Sequence, residues 1–189
     1  MGGEAMVQLR NFTTKDIDQL IGWIEDEREC FSWAGSTYQL SILKEQLEKD
    51  VLEARIDKSK ILFSIWDAEE KRVIGHIQLV EIDLVQKSAR IRRVLIGEKT
   101  MRNQGVGYQV MKGILDRCFF EWDLNLVTLH VFAYNKNAIA CYKKAGFIID
   151  PDGEETRIYK GKEYPLLAMF ITRERFYHGN RNRGNQGED

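Results

Sequence analysis

Three stretches rich in β-branched and aromatic residues follow one another along the chain: Ile61 to Trp66, Val73 to Ile82 and Ala89 to Ile96. The links between them are short and polar, too short to carry a crossover helix, so the three are expected to pair as an antiparallel meander. The period then changes. Val106, Val110, Met111, Ile114, Leu115, Cys118 and Phe119 fall on one helical face. A strand is expected from Leu126 to Ala133, a short helix from Asn137 to Lys144 closed by Gly146, and two closing strands, Phe147–Ile149 and Leu166–Phe170, joined by a polar loop. Ahead of the meander, Val7 to Arg10 alternates as a first strand, and Thr13 with Asp16 opens a helix. Leu43, Leu47 and Val51 stripe a second helix from about Gln39 to Ala54, and Cys30 to Gly35 is an aromatic-rich loop between the two. The order implies one mixed α/β (α+β) domain.

Composition narrows the class. A chain of 189 residues with 43% hydrophobic and 30% charged residues builds one core and covers it. A net charge of −1 gives no field toward nucleic acid or an anionic membrane, and no apolar run approaches spanning length. Two arginines in the tail, Arg181 and Arg183, are offset by Glu188 and Asp189 and give no strong nucleic-acid signal. Cys30, Cys118 and Cys141 are odd in number and far apart, which suits a reducing cytoplasm, and no histidine pair has ligand spacing, so no metal is expected. Residues 1–5 are expected as a leader or cloning remnant, 6–177 as the folded domain and 178–189 as a disordered polar tail.

The sharpest local feature is Arg102-Asn103-Gln104-Gly105-Val106-Gly107, set between a strand and the amphipathic helix. Glycine lets backbone approach a ligand closely, and the unpaired N–H groups of a first helical turn favour an anion such as a diphosphate. Arg102 adds a candidate charge-assisted contact. A P-loop is excluded because Tyr108-Gln109 follows Gly107, and a dinucleotide fingerprint because Val110 stands where its third Gly or Ala belongs.

Some thirty residues on comes Asn135-Lys136-Asn137-Ala138-Ile139-Ala140-Cys141-Tyr142, running on to Gly146-Phe147. Arg-x-x-Gly-x-Gly at a helix start, followed by Asn-x-x-Ala-Ile-x-x-Tyr-x-x-x-Gly-Phe, resembles the GNAT superfamily of N-acetyltransferases. The likeness covers roughly Arg92 to Phe147, and the helical N-terminal part together with Ala168–Glu174 is similar to RimJ/RimL-like members. It implies the GNAT fold, a mixed and mostly antiparallel central sheet flanked by helices, with acetyl-CoA as cosubstrate and no metal. It further implies that the backbone of Leu95, Ile96 and Gly97 pairs with the pantetheine arm. The N–H groups of Gln104 to Gly107 would hold the diphosphate, Asn135 would hydrogen-bond the cofactor, and Tyr142 would stand near the thioester sulfur. Asn135, Ala138 and Tyr142 share a helix face by spacing alone, although a tyrosine there can also turn its hydroxyl into the core.

An amine must be neutral to attack a thioester, yet an alkylamine has a pKa of about 10.4. Tyr142 is the candidate acid for the departing thiolate. Glu81 is the candidate base, with His130 as a weaker one, and no acid stands in Ala89-Arg90-Ile91-Arg92-Arg93, where some relatives carry a glutamate. Cys141 has no histidine in the motif to activate it, so attack is expected to be direct, within a ternary complex. The expected acceptor is a primary amine: a protein N-terminus, a polyamine or another small amine. The acidic run Glu25–Glu29 and the aromatic Phe31 and Trp33 are expected either to meet that acceptor or to serve the fold alone. A non-catalytic acyl-CoA-binding protein on the same fold is the alternative, and the open edge of such a sheet leaves room for a homodimer.

Overall fold

The computed structural model describes residues 7–184, with side chains through Gly179. The expected leader and residues 185–189 lie outside the described residues. The meander forms as the alternation requires: β1 (Val7–Asn11), β2 (Ile61–Asp67), β3 (Arg72–Asp83) and β4 (Ser88–Ile96) pair antiparallel in sequence order. The sheet has seven strands in the order β1-β2-β3-β4-β5-β7-β6, with β5 at Leu126–Phe132, β6 at Ile148–Tyr159 and β7 at Lys162–Thr172. Only β4 and β5 run parallel, joined across one face by α4 (Val106–Asp116).

Strand alternation sends side chains to two layers. Phe63, Ile65, Ile77, Leu79, Ile91, Val127 and Leu129 pack with Val110, Met111, Ile114 and Leu115 of α4 in the larger core. Leu62 joins Phe12, Leu20, Leu43, Leu47 and Val51 on the opposite face, under α1 (Ile17–Gly22) and α3 (Leu43–Ile56). A buried Val, Leu, Ile or Phe contributes roughly 1.5–3 kcal/mol, so both layers are held mainly by this apolar burial.

Four expectations need correction. Cys30 to Gly35 is not a loop: Glu27–Ala34 forms a helix, α2, because Asp26 caps its first turn by accepting from the Glu29 N–H at 2.8 Å, and Gly35 ends it at φ +64°. The polar loop near the C-terminus is instead a long hairpin, β6–β7, turned at Lys160-Gly161, whose φ values of +48° and +74° suit a two-residue turn. Polar residues there do not oppose a strand, since one face of an antiparallel sheet can meet water. Part of the stretch expected as a disordered tail continues a helix, α6 (Arg173–Gly184). The expected helix at Asn137 begins one residue earlier, as α5 (Lys136–Ala145).

Candidate functional site

The site begins as a fault in the sheet. β4 pairs with β5 only at Ser88–Ile91, opposite Leu126–Leu129, so the rest of β4, from Arg92 to Ile96, leaves its neighbour. A bulge drives the departure: β4 places an extra residue opposite β3 between His76 and Gln78, and Arg93 takes φ +52°. The bulge is tied down on both sides. Its carbonyl accepts from Trp33 Nε1 at 2.9 Å, while the Arg93 guanidinium donates to Gln78 Oε1 at 2.7 Å, Tyr38 Oη at 2.8 Å and Asp50 Oδ2 at 3.1 Å.

The gap is a passage with two ends. A cleft of about 530 Å³ opens on the α4–α5 side and a pocket of about 220 Å³ on the α2–hairpin side. Ser32, Trp33, Val94, Asn135 and Tyr142 line both, so they stand at the junction.

At the wide end, Gly105 holds φ +81° and starts α4 with no side chain capping the helix. Its first-turn N–H groups, a positive helix end, therefore face a cleft lined by Arg102, Asn103, Gly105 and Gly107. No side chain fills the space above Gly105, and a Cβ on Gly107 would press on Cys141 Sγ at 3.2 Å, so glycine lets α4 and α5 approach closely there. This cradle fits a diphosphate. Val94, Leu95 and Ile96 present the splayed strand along its wall. Lys144 adds a positive charge at the rim, its Nζ 4.9 Å from the Tyr108 ring centre.

Several expected residues are placed otherwise. Gly97 does not line the cleft: its N–H donates inward to Ile74 O at 2.9 Å, and a Cβ there would lie 1.9 Å from the Trp23 ring. Gln104 turns its side-chain amide to Thr100 O at 2.6 Å and Val106 buries its side chain in the core, neither of which bears on the expectation, which concerns their backbone N–H groups alone. Arg102 lines it but folds back, donating to Ile96 O at 2.8 Å and Gly97 O at 3.4 Å. Glu81 is not brought to either end. Its carboxylate is held by Arg92 at 2.7 Å and Arg90 at 3.3 Å, because a second bulge, with Glu81 at φ +53°, turns that end of β3 aside.

Asn135 and Tyr142 do meet. Asn135 caps α5, its Oδ1 accepting from Ala138 N–H at 3.2 Å while the residue faces the passage. Tyr142 is buried, yet it lines both ends of the passage. Burial first, and then the neighbouring Cys141, push its pKa above the ordinary value. Cys141 lines the cleft as a thiol whose pKa burial raises against the pull of Lys144, which does not suit a nucleophile. His130 lines the narrow end, its Nε2 3.5 Å from Glu155; burial, and the charges of Arg90, Arg157 and Arg92 acting against Glu155, lower its pKa. The acidic run serves the fold: Glu25 pairs with Lys99 and Glu27 with Lys160, and of these residues only Glu29 lines the wide end.

The acetyltransferase (GNAT) family model matches residues 18–147. The chain belongs to this family. As a GNAT acetyltransferase it takes its acyl group from acetyl-CoA, and the wide cleft is where the chain offers an anion cradle beside a free strand edge. The spermidine N(1)-acetyltransferase of Vibrio cholerae is 26% identical over 122 residues, 64% of this chain and 68% of that protein. The crystal structure of spermidine N-acetyltransferase from Vibrio cholerae in complex with CoA and spermine shares the fold, with a TM-score of 0.78 at 22% identity over 90% of this chain and 98% of that one. A chimera of the Vibrio cholerae enzyme superposes with a TM-score of 0.76 at 21% identity, over 90% and 98% of the two chains. Among the described residues, no group of His, Cys, Asp or Glu has the arrangement to hold a metal ion.

Two lining residues, Asn137 and Lys144, carry no expected role in the sequence and share their helix face with Cys141. Asn137, Cys141 and Lys144 recur at four and three residues, so the helical spacing that joined Asn135 to Tyr142 also carried a second stripe toward the cleft. Trp33, one of the aromatic residues expected either at the acceptor or in the fold alone, lines both ends, whereas Trp23, just past α1, carries no such signal.

Proposed function

We propose that this GNAT chain transfers the acetyl group of acetyl-CoA to the primary amine of a small acceptor, by direct attack within one ternary complex. The observation that carries this reading is the single passage through the sheet, wide at the anion cradle, narrow at the far side, with Tyr142 lining both ends. A thioester carbonyl at the junction is open to an amine arriving from the narrow end. The C–N bond forms as the C–S bond breaks; the amine gives up one proton and the thiolate gains one. Tyr142 enters protonated, because burial holds its pKa up, and offers its hydroxyl to the sulfur as charge develops there. His130 is the neutral nitrogen base at the acceptor end and replaces Glu81 as candidate for the amine's proton.

The first acceptors to assay are the polyamines that the relatives' names carry, beside other small amines. A protein N-terminus, as for RimJ/RimL-like members, would have to thread a flexible chain end into about 220 Å³. No helix among the described residues is long and apolar enough to cross a membrane, and the three free thiols support a reducing cytoplasm. The test is CoA-thiol release with Tyr142→Phe beside the parent. Turnover should fall by about 10²–10⁴-fold with acetyl-CoA affinity nearly intact. Equal turnover at saturating substrate removes Tyr142 from the chemistry, and acetyl-CoA binding without turnover on any amine would leave a binding protein.

A further inference from the structure

The narrow end has a one-sided lining. Its charged residues are Arg90, Arg92, Arg93 and Arg157, beside neutral His130, and among the described residues no carboxylate lines it. Arg93 is matched from behind by Asp50, at 3.1 Å. The other three guanidiniums share two carboxylates that stand outside the pocket: Glu81, held by Arg92 and Arg90, and Glu155, 2.8 Å from Arg157. Arg90 has only the longer contact to Glu81, at 3.3 Å, and a 3.4 Å contact to Thr128 Oγ1. Positive charge is therefore in excess where an acceptor must lie. Burial, with the charges of Arg90, Arg93 and Arg157 opposing that of Glu81, holds the pKa of Arg92 below its ordinary value. The acidic stretch Asp150–Glu155 lines an adjoining groove that shares Arg90, Leu129 and His130 with this pocket.

Resting on the acetyl-transfer reading above, we propose that the acceptor is a small amine that also carries an anionic group, carboxylate or phosphate, taken by Arg90, Arg92 and Arg157. A guanidinium presents a planar fork of N–H donors that matches either anion. The amine end of such a molecule then points down the passage toward Tyr142. A polycation meets the same lining as like charge in a partly dry pocket, which disfavours it. The inference thus separates this chain from what its relatives' names would suggest, on residues that line its own pocket.

The experiment is CoA-thiol release at saturating acetyl-CoA with acceptors of matched length: an uncharged-tail alkylamine, the same amine ending in carboxylate or in phosphate, and spermidine. The anionic amines should exceed the uncharged one by about 10- to 100-fold in kcat/KM, the worth of one or two charge-assisted hydrogen bonds. Whichever of the two is faster names the anion. Arg92→Ala and Arg157→Ala should bring that ratio toward one, Arg157→Lys should keep most of it, and Arg157→Glu should move the preference toward spermidine, a gain that misfolding cannot mimic. Faster turnover of spermidine than of either anionic amine by the parent overturns the inference, as does an unchanged ratio in all the variants. Acetyl-CoA titration beside these assays separates the failures. Binding with spermidine preferred defeats only the anionic acceptor, whereas no binding defeats the acetyl-transfer reading and this inference with it.

Discussion

Replacing Asp50 with alanine tests whether the bulge that shapes the passage is held from behind. Asp50, on α3, accepts from the Tyr38 hydroxyl and pairs with Lys60 at 2.6 Å and Arg93 at 3.1 Å. The side chains of Asp50, Lys60 and Arg93 are only 13%, 14% and 10% exposed, so water does little to screen the pairs. Removing the carboxylate leaves two cations, but not equally stranded. Lys60 keeps Glu53 at 3.2 Å, while Arg93 keeps only uncharged Gln78 and Tyr38. Breaking a buried pair costs about 3–5 kcal/mol, and the Glu53 contact places the loss near the lower figure. For a domain of this size each kcal/mol moves Tm by about 2–4 °C, so the melt should fall by roughly 6–12 °C. Circular dichroism melts and urea unfolding measure it. The double variant Asp50→Ala/Arg93→Met should be less unstable than the sum of its parts, because the stranded guanidinium has gone. Burial pushes the Asp50 pKa up, but the hydrogen bonds from Lys60 and Tyr38 and the charges of Lys60 and Arg93 outweigh it, and the folded value lies below 3.8. A depressed folded pKa stabilises above the unfolded value and ceases to as pH falls through the folded one, so parent and variant melts should converge below about pH 4. A melt within about 2 °C of the parent at neutral pH, or strictly additive variants, would refute the reasoning.

Two further outcomes follow from the site. Gly105→Glu forces a side chain onto φ +81° and sets a carboxylate at the uncapped start of α4; strain of about 1–2 kcal/mol plus competition for the N–H groups should weaken acetyl-CoA about 10-fold or more by calorimetry, and unchanged affinity would remove the diphosphate from this loop. His130 has its pKa lowered from 6.5, so it is neutral above that value and gains its proton only below it. The acid limb of kcat/KM should accordingly have its midpoint below pH 6.5 and vanish in His130→Ala, and an acid limb that survives in the variant would assign the base elsewhere.

The parts of the fold set by short-range periodicity were legible in the sequence. The meander, α4 and α5 follow from apolar spacing, and Asn135 with Tyr142 from their shared face. α2 was hidden because its apolar residues are aromatic and clustered, although Asp26 with Glu29 repeats the start signal that Thr13 and Asp16 give. The hairpin was hidden because exposed strands of alternating charge resemble loops by composition. Register was out of reach altogether. Glu81 was placed by assuming an unbroken alternation along β3, and a bulge at that residue sends its carboxylate to Arg92 and Arg90 instead. The arginine-lined pocket unites residues from β4 and β6, which no local pattern connects.

Phe31 of α2 stacks on Tyr159 of the hairpin with ring centres 4.4 Å apart, and lies 5.3 Å from Tyr164. These partners are separated by about two thirds of the 189-residue chain, and β7 must insert between β5 and β6 before they can meet. As the chain leaves the ribosome, the cofactor loop and α5 are therefore complete while the acceptor pocket still lacks a wall. Contacts so distant in sequence are among the last to be rewarded in folding. Under the assignment proposed above, the donor cradle is thus assembled early and the acceptor pocket only with the final strands.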